Sequence, residues 1–208
     1  MKYHLALFDV DSTLTETEGI DLLASESPFA HEVASITEQA MHGAIDFDAA
    51  LRKRVALLRD LHESVIDTAI ARTRISEGAR DTVEALVTAG FKVGIVSGGF
   101  REIIDSVFRD WPFDLVVAHS LERSNGKLTG LITGEIVNRE KKALVLQEFA
   151  KSASVQLSQT VAIGDGSNDL AMIELAGLGV AYRGKPALNK VADHQIERLI
   201  DLLPIVLK

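Results

Sequence analysis

The sequence predicts an α/β fold, in which a parallel sheet is flanked by helices and a small helical segment is inserted early in the chain. Short apolar runs alternate with stretches of helical periodicity, as in sheets buried on both faces. Residues 15–75 contain no strand-like run. The 208 residues, with 15 Gly and 4 Pro, are enough for a substantial core carrying such an insert.

Five apolar runs are predicted to be the buried strands. They read YHLALF, FKVGIV, FDLVVAH, TVAIG and LGVAY. Between the third and the fourth, NGKLTGLITGEI combines an Asn125-Gly126 turn signal with alternating residues, which predicts a β-hairpin inserted between the layers. The C-terminal HQIERLIDLLPIVLK is predicted to close the fold with a strand and a helix.

The insert is predicted to be helical. Its helices include AHEVASITEQAMH and DFDAALRKRVALLRDLH, the second opened by Asp46 as its N-cap. The predicted division is a core of residues 1–14 and 76–208 and a cap of residues 15–75.

Composition excludes several classes of function. The net charge of −8 argues against a broad nucleic-acid or anionic-membrane surface. The absence of cysteine excludes disulfides, Cys-zinc sites and thiol catalysis. The apolar part of MKYHLALFDVD is too short for a signal peptide, and no run could span a bilayer. We expect a cytoplasmic protein with a small-molecule partner, and homo-oligomer formation stays open.

Two aspartates follow the first predicted strand directly. Asp9 and Asp11 come just after the apolar run LALF. Ligands of open α/β sheets bind outside the carboxyl ends of the strands. The same spacing in DFD, from Asp46 to Asp48, falls at a helix start, where acids favour the helix dipole. Asp9 and Asp11 are therefore candidate site residues because they follow a strand, and not because of their spacing.

Other strand ends carry matching chemistry. Ser97 precedes two glycines, so a hydroxyl and bare N–H groups can approach an anion. Asp165 lies in a glycine-flanked turn, with Asn168 and Asp169 opening the next helix. Converging carboxylates repel unless a proton or cation joins them, which predicts Mg²⁺ held by Asp9, Asp165 and a main-chain carbonyl. The alternative is that these acids are only helix caps and turn residues.

Two adjacent lysines are predicted to lie on different faces of one helix. Lys142 falls inside the edge of an apolar stripe, and Lys141 lies well off it. The stripe comprises Ala143, Leu146, Phe149 and Ala150. Lys142 is therefore predicted to point inward to anions, and a lysine snorkelling at the rim is the alternative.

The cap contains a similar cation. Arg54 is predicted to lie at the centre of an apolar stripe, whereas Arg52 and Lys53 face solvent. The stripe comprises Phe47, Leu51, Leu58 and Leu61. An inward arginine suits a carboxylate or phosphate ligand, and an internal salt bridge is the alternative.

The motifs DVDSTL, SGG, Lys142 and GDGSND resemble, in order and spacing, those of the haloacid dehalogenase-like phosphohydrolases. The D-x-D-S-T form, the cap and GKLTG resemble the phosphoserine phosphatases among them. The resemblance implies a Rossmann-like core and a cap that closes over the substrate. It also implies Mg²⁺-dependent hydrolysis of O-phospho-L-serine through an aspartyl-phosphate, the last step of serine biosynthesis.

The resemblance also implies residue roles. Asp9 would be the nucleophile and Asp11 the general acid/base. Mg²⁺ would be bound by Asp9, Asp165 and the main-chain carbonyl of Asp11, with Asp169 supporting its waters. We expect an unshifted pKa for Asp9 and a raised pKa for Asp11, crowded by like charge.

The resemblance further implies which residues contact the phosphate of the substrate and which contact its amino-acid head group. The phosphate and substrate contacts are Ser97, Gly98, Lys142 and Asn168. Glu18 would bind the ammonium and Arg54 the carboxylate, with Met41 and Phe47 shielding the site. The residues alone do not favour Glu18 over Glu16. Surface or packing positions are expected for the histidines: His4, His31, His42, His62, His119 and His194.

Three alternatives stay open. The chain could hydrolyse another small phosphomonoester, or transfer phosphate to homoserine. A non-enzymatic phospho-receiver also uses acidic strand ends, a hydroxyl and a lysine, but it is smaller and lacks a cap. No extra regulatory domain is seen in the sequence, so feedback through one is not expected.

Overall fold

The computed structural model describes residues 2–208, and Met1, the first residue of the predicted core, lies outside them. A seven-stranded sheet has the order β4-β3-β2-β1-β5-β6-β7. The strands are β1 Leu5–Phe8, β2 Lys92–Phe100, β3 Leu115–Ser124, β4 Lys127–Thr133, β5 Thr160–Gly164, β6 Leu178–Tyr182 and β7 His194–Ile196. All neighbours pair in parallel except β3 and β4, and helices flank the sheet, so the predicted α/β class is confirmed.

The central strand β1 explains the continuous apolar pattern of its sequence. All four of its residues are buried, because helices cover both faces of the sheet. Phe8 lies opposite Ile95 of β2 and Ile163 of β5. The carboxyl ends of these three strands therefore meet at one edge, where Asp9 N–H donates to the Ile163 carbonyl at 2.8 Å.

Four helices occupy residues 15–75, which follow β1. They are α1 Gly19–Ala24, α2 Ala30–Met41, α3 Phe47–Ala56 and α4 Val65–Arg72. Thr15 and Ile75 form an antiparallel bridge, so the chain enters and leaves this segment at one place. We call residues 15–75 the cap.

The N-cap of α3 is as predicted, but its extent is not. The Asp46 side chain accepts the Ala49 N–H at 2.8 Å. The helix ends at Ala56, so the prediction that Leu58 and Leu61 share its apolar stripe is wrong. The chain turns away because Asp60 takes a φ of 65° and donates its N–H to the Leu128 carbonyl of β4 at 2.9 Å.

The predicted hairpin is confirmed at its turn and corrected in its place. Asn125 and Gly126 both have positive φ, 53° and 74°, as the favoured two-residue hairpin turns require. However, its first arm is the end of β3, and β4 forms an edge of the main sheet rather than a separate insert between layers. Buried Leu121 and Leu128 pack against cap residues and account for this placement.

Six further helices complete the core. They are α5 Ala79–Thr88, α6 Arg101–Val107, α7 Arg139–Ser152, α8 Leu170–Leu175, α9 Pro186–Asn189 and α10 Leu203–Val206. The C-terminal segment forms β7, a 3₁₀ turn and α10, so its predicted closing strand and helix are confirmed. Within residues 2–208, no helix has the length and apolar character needed to cross a bilayer.

Candidate active site

Asp9 and Asp11 lie where β1 gives way to a tight turn over Val10–Leu14. Ser12 in this turn adopts a left-handed φ of 57°. Asp11 Oδ1 accepts the Gly19 N–H at 2.9 Å, and its Oδ2 accepts the Ser97 hydroxyl at 3.4 Å. Asp11 thus connects the core strand ends to the first turn of the cap.

Lys142 is buried with two carboxylates. Its Nζ lies 2.7 Å from Asp9 Oδ1 and 2.6 Å from Asp169 Oδ1. Burial alone would lower the pKa of Lys142, but Asp169 and Asp9 outweigh it and hold that pKa above its ordinary value. Lys141 instead pairs with exposed Glu135 at the surface. The inward orientation predicted for Lys142 from helical phase is confirmed.

Asp169 fixes the turn that follows β5. Its Oδ2 accepts the N–H groups of Asp165 and Gly166, both at 3.1 Å. A Cβ at Gly164 would overlap the Asp169 carboxylate, so this close approach requires glycine. Both oxygens of Asp169 are therefore engaged by donors of the protein.

Three buried carboxylates form a cluster suited to a cation. One oxygen each of Asp9, Asp165 and Asp169 lies within 4.8 Å of the others. Asp165 Oδ1 is buried and has no hydrogen-bond partner among residues 2–208. Burial, with the charge of Asp169, raises the pKa of Asp165. An unpartnered buried carboxylate is costly, and a metal ion would satisfy it, so these residues fit a metal site.

The two aspartates at the end of β1 both have raised pKa values. Burial, followed by the charge of Asp169, raises the pKa of Asp9 to about 7, although Lys142 opposes the shift. Burial and the charge of Asp9 raise the pKa of Asp11 to about 6. The rise expected for Asp11 is confirmed, with burial a larger cause than like charge, but the unshifted pKa expected for Asp9 is wrong, because burial and Asp169 raise it.

A narrow cavity between core and cap contains most of the predicted site. The predicted residues lining it are Asp9, Asp11, Glu18, Met41, Phe47, Arg54, Gly98 and Asn168. Ile20, Leu51 and Gly99 also line it and were not predicted as site residues. Ser97 and Lys142 reach the cavity residues through their bonds to Asp11 and Asp9.

Glu18 and Arg54 place a carboxyl group and a guanidinium in this cavity. Glu18 Oε1 accepts the Ser12 hydroxyl at 2.9 Å, while Glu16 is exposed, so the structure separates two acids that the residues alone could not. Burial and the charge of Asp11 raise the pKa of Glu18 to about 8. Arg54 is buried, and among residues 2–208 no carboxylate forms a salt bridge with it. The internal salt bridge considered for Arg54 is therefore not formed.

Glycines allow the cap to approach the strand ends. A Cβ at Gly98 would lie 2.7 Å from Phe47 Cζ, and one at Gly166 would lie 3.1 Å from Met41 Sδ. A Cβ at Gly99 would overlap the Asp11 carboxylate. The adjacent glycines of SGG were the available signal for Gly99.

His119 is buried outside the cavity. Its Nε2 accepts the Val137 N–H at 2.7 Å, so its Nδ1 carries the proton and donates to the Gly98 carbonyl at 3.2 Å. Burial lowers its pKa, in keeping with a neutral ring. His119 is a packing residue, as expected.

Comparison with known proteins identifies the family. Residues 6–174 match the model of the haloacid dehalogenase-like hydrolases. The chain belongs to this family. This hydrolase is 46% identical to a phosphoserine phosphatase of Streptococcus thermophilus over 92% of the chain and 89% of that protein.

Other relatives extend the likeness. A phosphoserine phosphatase of Streptomyces coelicolor is 47% identical over 90% of the chain, but the chain spans only 46% of that protein. The solved structure of a phospho-aspartyl intermediate analogue of phosphoserine phosphatase matches with a TM-score of 0.95 and 40% identity, covering 99% of this hydrolase and 100% of that chain.

Proposed function

We propose that this hydrolase converts O-phospho-L-serine and water to L-serine and phosphate through an aspartyl-phosphate on Asp9. The observation that carries the proposal is that one cavity contains the acid pair at the end of β1 together with Glu18 and Arg54. Phosphoserine carries an ammonium and a carboxylate beside its phosphate. A cavity with a carboxyl group and a guanidinium next to the reacting carboxylates matches those groups, because an incoming ammonium favours the ionised form of Glu18.

In the first step, an Asp9 carboxylate oxygen bonds to phosphorus as the bond to the serine oxygen breaks. Asp11, whose pKa burial raises to about 6, gives that oxygen its proton, while Lys142 and a bound cation would favour the ionised form of Asp9. In the second step, Asp11 takes a proton from water, whose oxygen attacks phosphorus and releases Asp9. Lys142 stays charged beside Asp9 and stabilises negative charge as it moves between oxygens.

The metal is proposed to be Mg²⁺, held by Asp9, Asp165 and the main-chain carbonyl of Asp11, with Asp169 behind it. Oxygen ligands of this kind suit Mg²⁺. When bound, the ion would supply positive charge against the phosphate oxygens. Ser97, Gly98 and Asn168 are proposed as phosphate and substrate contacts.

We further propose that residues 15–75 act as a cap domain on a core of residues 1–14 and 76–208. Met41 and Phe47 shield the cavity from water. The proposed setting is serine biosynthesis in the cytoplasm, and no partner other than the small phosphomonoester is required for the chemistry.

The test is phosphate release from a panel containing phosphoserine, O-phosphoethanolamine and p-nitrophenyl phosphate, with and without Mg²⁺. We expect phosphoserine to be preferred and turnover to require the metal. Asp9→Asn should abolish turnover, whereas Asp81→Asn, a matched change at the exposed start of α5, should not. Equal rates on phosphoserine and phosphoethanolamine would exclude the substrate assignment, and phosphohomoserine formed with added homoserine would identify a phosphotransferase.

A further inference from the structure

Two cap residues outside the cavity support the Arg54 guanidinium, one by a direct hydrogen bond and the other through the first. Arg54 Nη1 donates to Thr37 Oγ1 at 3.0 Å, and Thr37 Oγ1 lies 2.7 Å from Asp21 Oδ1. Arg54 lies on α3, Thr37 on α2 and Asp21 on α1. The chain of hydrogen bonds therefore joins three cap helices at the position of one guanidinium.

The direction of these bonds follows from the single hydrogen of a hydroxyl. Arg54 has no acceptor, so Thr37 must accept from it and can donate only once. Its hydrogen has two acceptors in reach, Asp21 Oδ1 at 2.7 Å and the Val33 carbonyl at 3.0 Å. The charged and nearer acceptor is the stronger one. Thr37 is thus oriented by Asp21 to present a lone pair to Arg54.

The hydrogen bonds of Arg54 also limit its orientation. Nε donates to the Ala50 carbonyl at 3.3 Å on its own helix, and one Nη1 hydrogen is used by Thr37. The remaining donors are available to the cavity that Arg54 lines. Because two of its five N–H donors are engaged, the planar group is held in one orientation, which favours geometrically specific binding of a carboxylate by the donors that remain.

Neither supporting residue lines the cavity, so both must act through Arg54. Thr37 is 4% exposed, and Asp21 is half-buried. We propose that Thr37 and Asp21 are positioning residues that fix Arg54 for a substrate carboxylate and thereby set the preference for phosphomonoesters of α-amino acids. This inference rests on the proposed function and adds the origin of its selectivity.

The test compares phosphoserine with O-phosphoethanolamine, which keeps the ammonium and lacks the carboxylate. Thr37→Val should raise the KM for phosphoserine about tenfold with kcat little changed, since a hydrogen bond to a charged group is lost. The KM for phosphoethanolamine should not change. Thr37→Ser restores the hydroxyl and should return the phosphoserine KM to within about twofold of the starting protein.

A second variant and a matched control accompany Thr37→Val. Asp21→Asn keeps an acceptor for Thr37 but removes its charge, and should raise the phosphoserine KM by roughly threefold in the same selective manner. Thr82→Val removes another buried threonine hydroxyl, bonded to the Gly78 carbonyl at 2.7 Å in the core, and should leave both KM values unchanged.

The outcomes separate this inference from the proposed function. A selective rise in the phosphoserine KM, rescued by serine, supports the positioning role. The positioning role is overturned if a variant changes the KM for both substrates equally. It is also overturned if the phosphoserine KM stays unchanged in Thr37→Val or in Asp21→Asn. If the unaltered protein does not prefer phosphoserine to phosphoethanolamine, the proposed function itself fails.

Discussion

Replacing Lys142 by methionine should destabilise the protein far more than the same change at Lys141. Lys142 Nζ lies 2.7 Å from Asp9 and 2.6 Å from Asp169, and the three side chains are at most 4% exposed. Methionine keeps the length of the chain and removes the charge, which leaves two buried carboxylates without their cation. Removing one partner of a buried ion pair typically costs about 3–5 kcal/mol, so we expect a loss of that size in the free energy of unfolding.

The neighbouring lysine provides the matched control. Lys141 Nζ lies 2.6 Å from Glu135, but the two side chains are 26% and 79% exposed. Water screens this pair, so Lys141→Met should change the free energy of unfolding little. Urea unfolding of both variants at pH 7, without metal, makes the comparison.

The pH dependence of the free energy of unfolding can refute this explanation of the Lys142→Met deficit. Lys142 opposes the rise in the pKa of Asp9, so without it Asp9 should bind its proton still more tightly in the folded state than in the unfolded chain. Stability then falls as pH rises, so the deficit of Lys142→Met should be smaller at pH 5 than at pH 8. Equal losses in the two variants, or a deficit that does not grow with pH, would show that the lysine does not compensate buried charge.

Three further changes test other parts of the site. Arg54→Ala should raise the KM for phosphoserine and spare p-nitrophenyl phosphate in steady-state assays, and equal losses would contradict its proposed role in head-group binding. Gly99→Ala should displace the Asp11 carboxylate and lower kcat at least tenfold with an unchanged circular dichroism spectrum, and wild-type kcat would contradict this. Mg²⁺ should raise the melting temperature more at pH 8 than at pH 6, because it must displace a proton from Asp9, whose pKa is about 7, and an equal rise would argue against that ligand.

Features set by local pattern could be predicted from the sequence. The continuous apolar run of β1 predicted a strand buried on both faces, and all of Leu5–Phe8 is buried. Helical phase separated Lys142 from Lys141, since one residue turns the side chain by about 100°. The same reasoning placed Arg54 inside the cap and left Arg52 and Lys53 exposed.

Features set by contacts distant in sequence could not be predicted in this way. The end of α3 depends on pairing between Asp60 and Leu128, and neither position carries a local stop signal. Thr37 and Asp21 resemble any polar residues of amphipathic helices until three helices meet at Arg54. The raised pKa of Asp9 likewise reflects burial by the whole fold rather than its neighbours in the chain.

The contact between Phe47 and Gly98 has a consequence for competition between water and alcohol at phosphorus. The ring occupies the space that any side chain at position 98 would fill, with its Cζ 2.7 Å from where a Cβ would stand. A single methyl group there would keep the ring and the strand end apart and open a path for solvent beside the acid pair. In the proposed reaction, the exclusion of water by Phe47 during the first transfer therefore depends on position 98 having no side chain beyond a hydrogen atom.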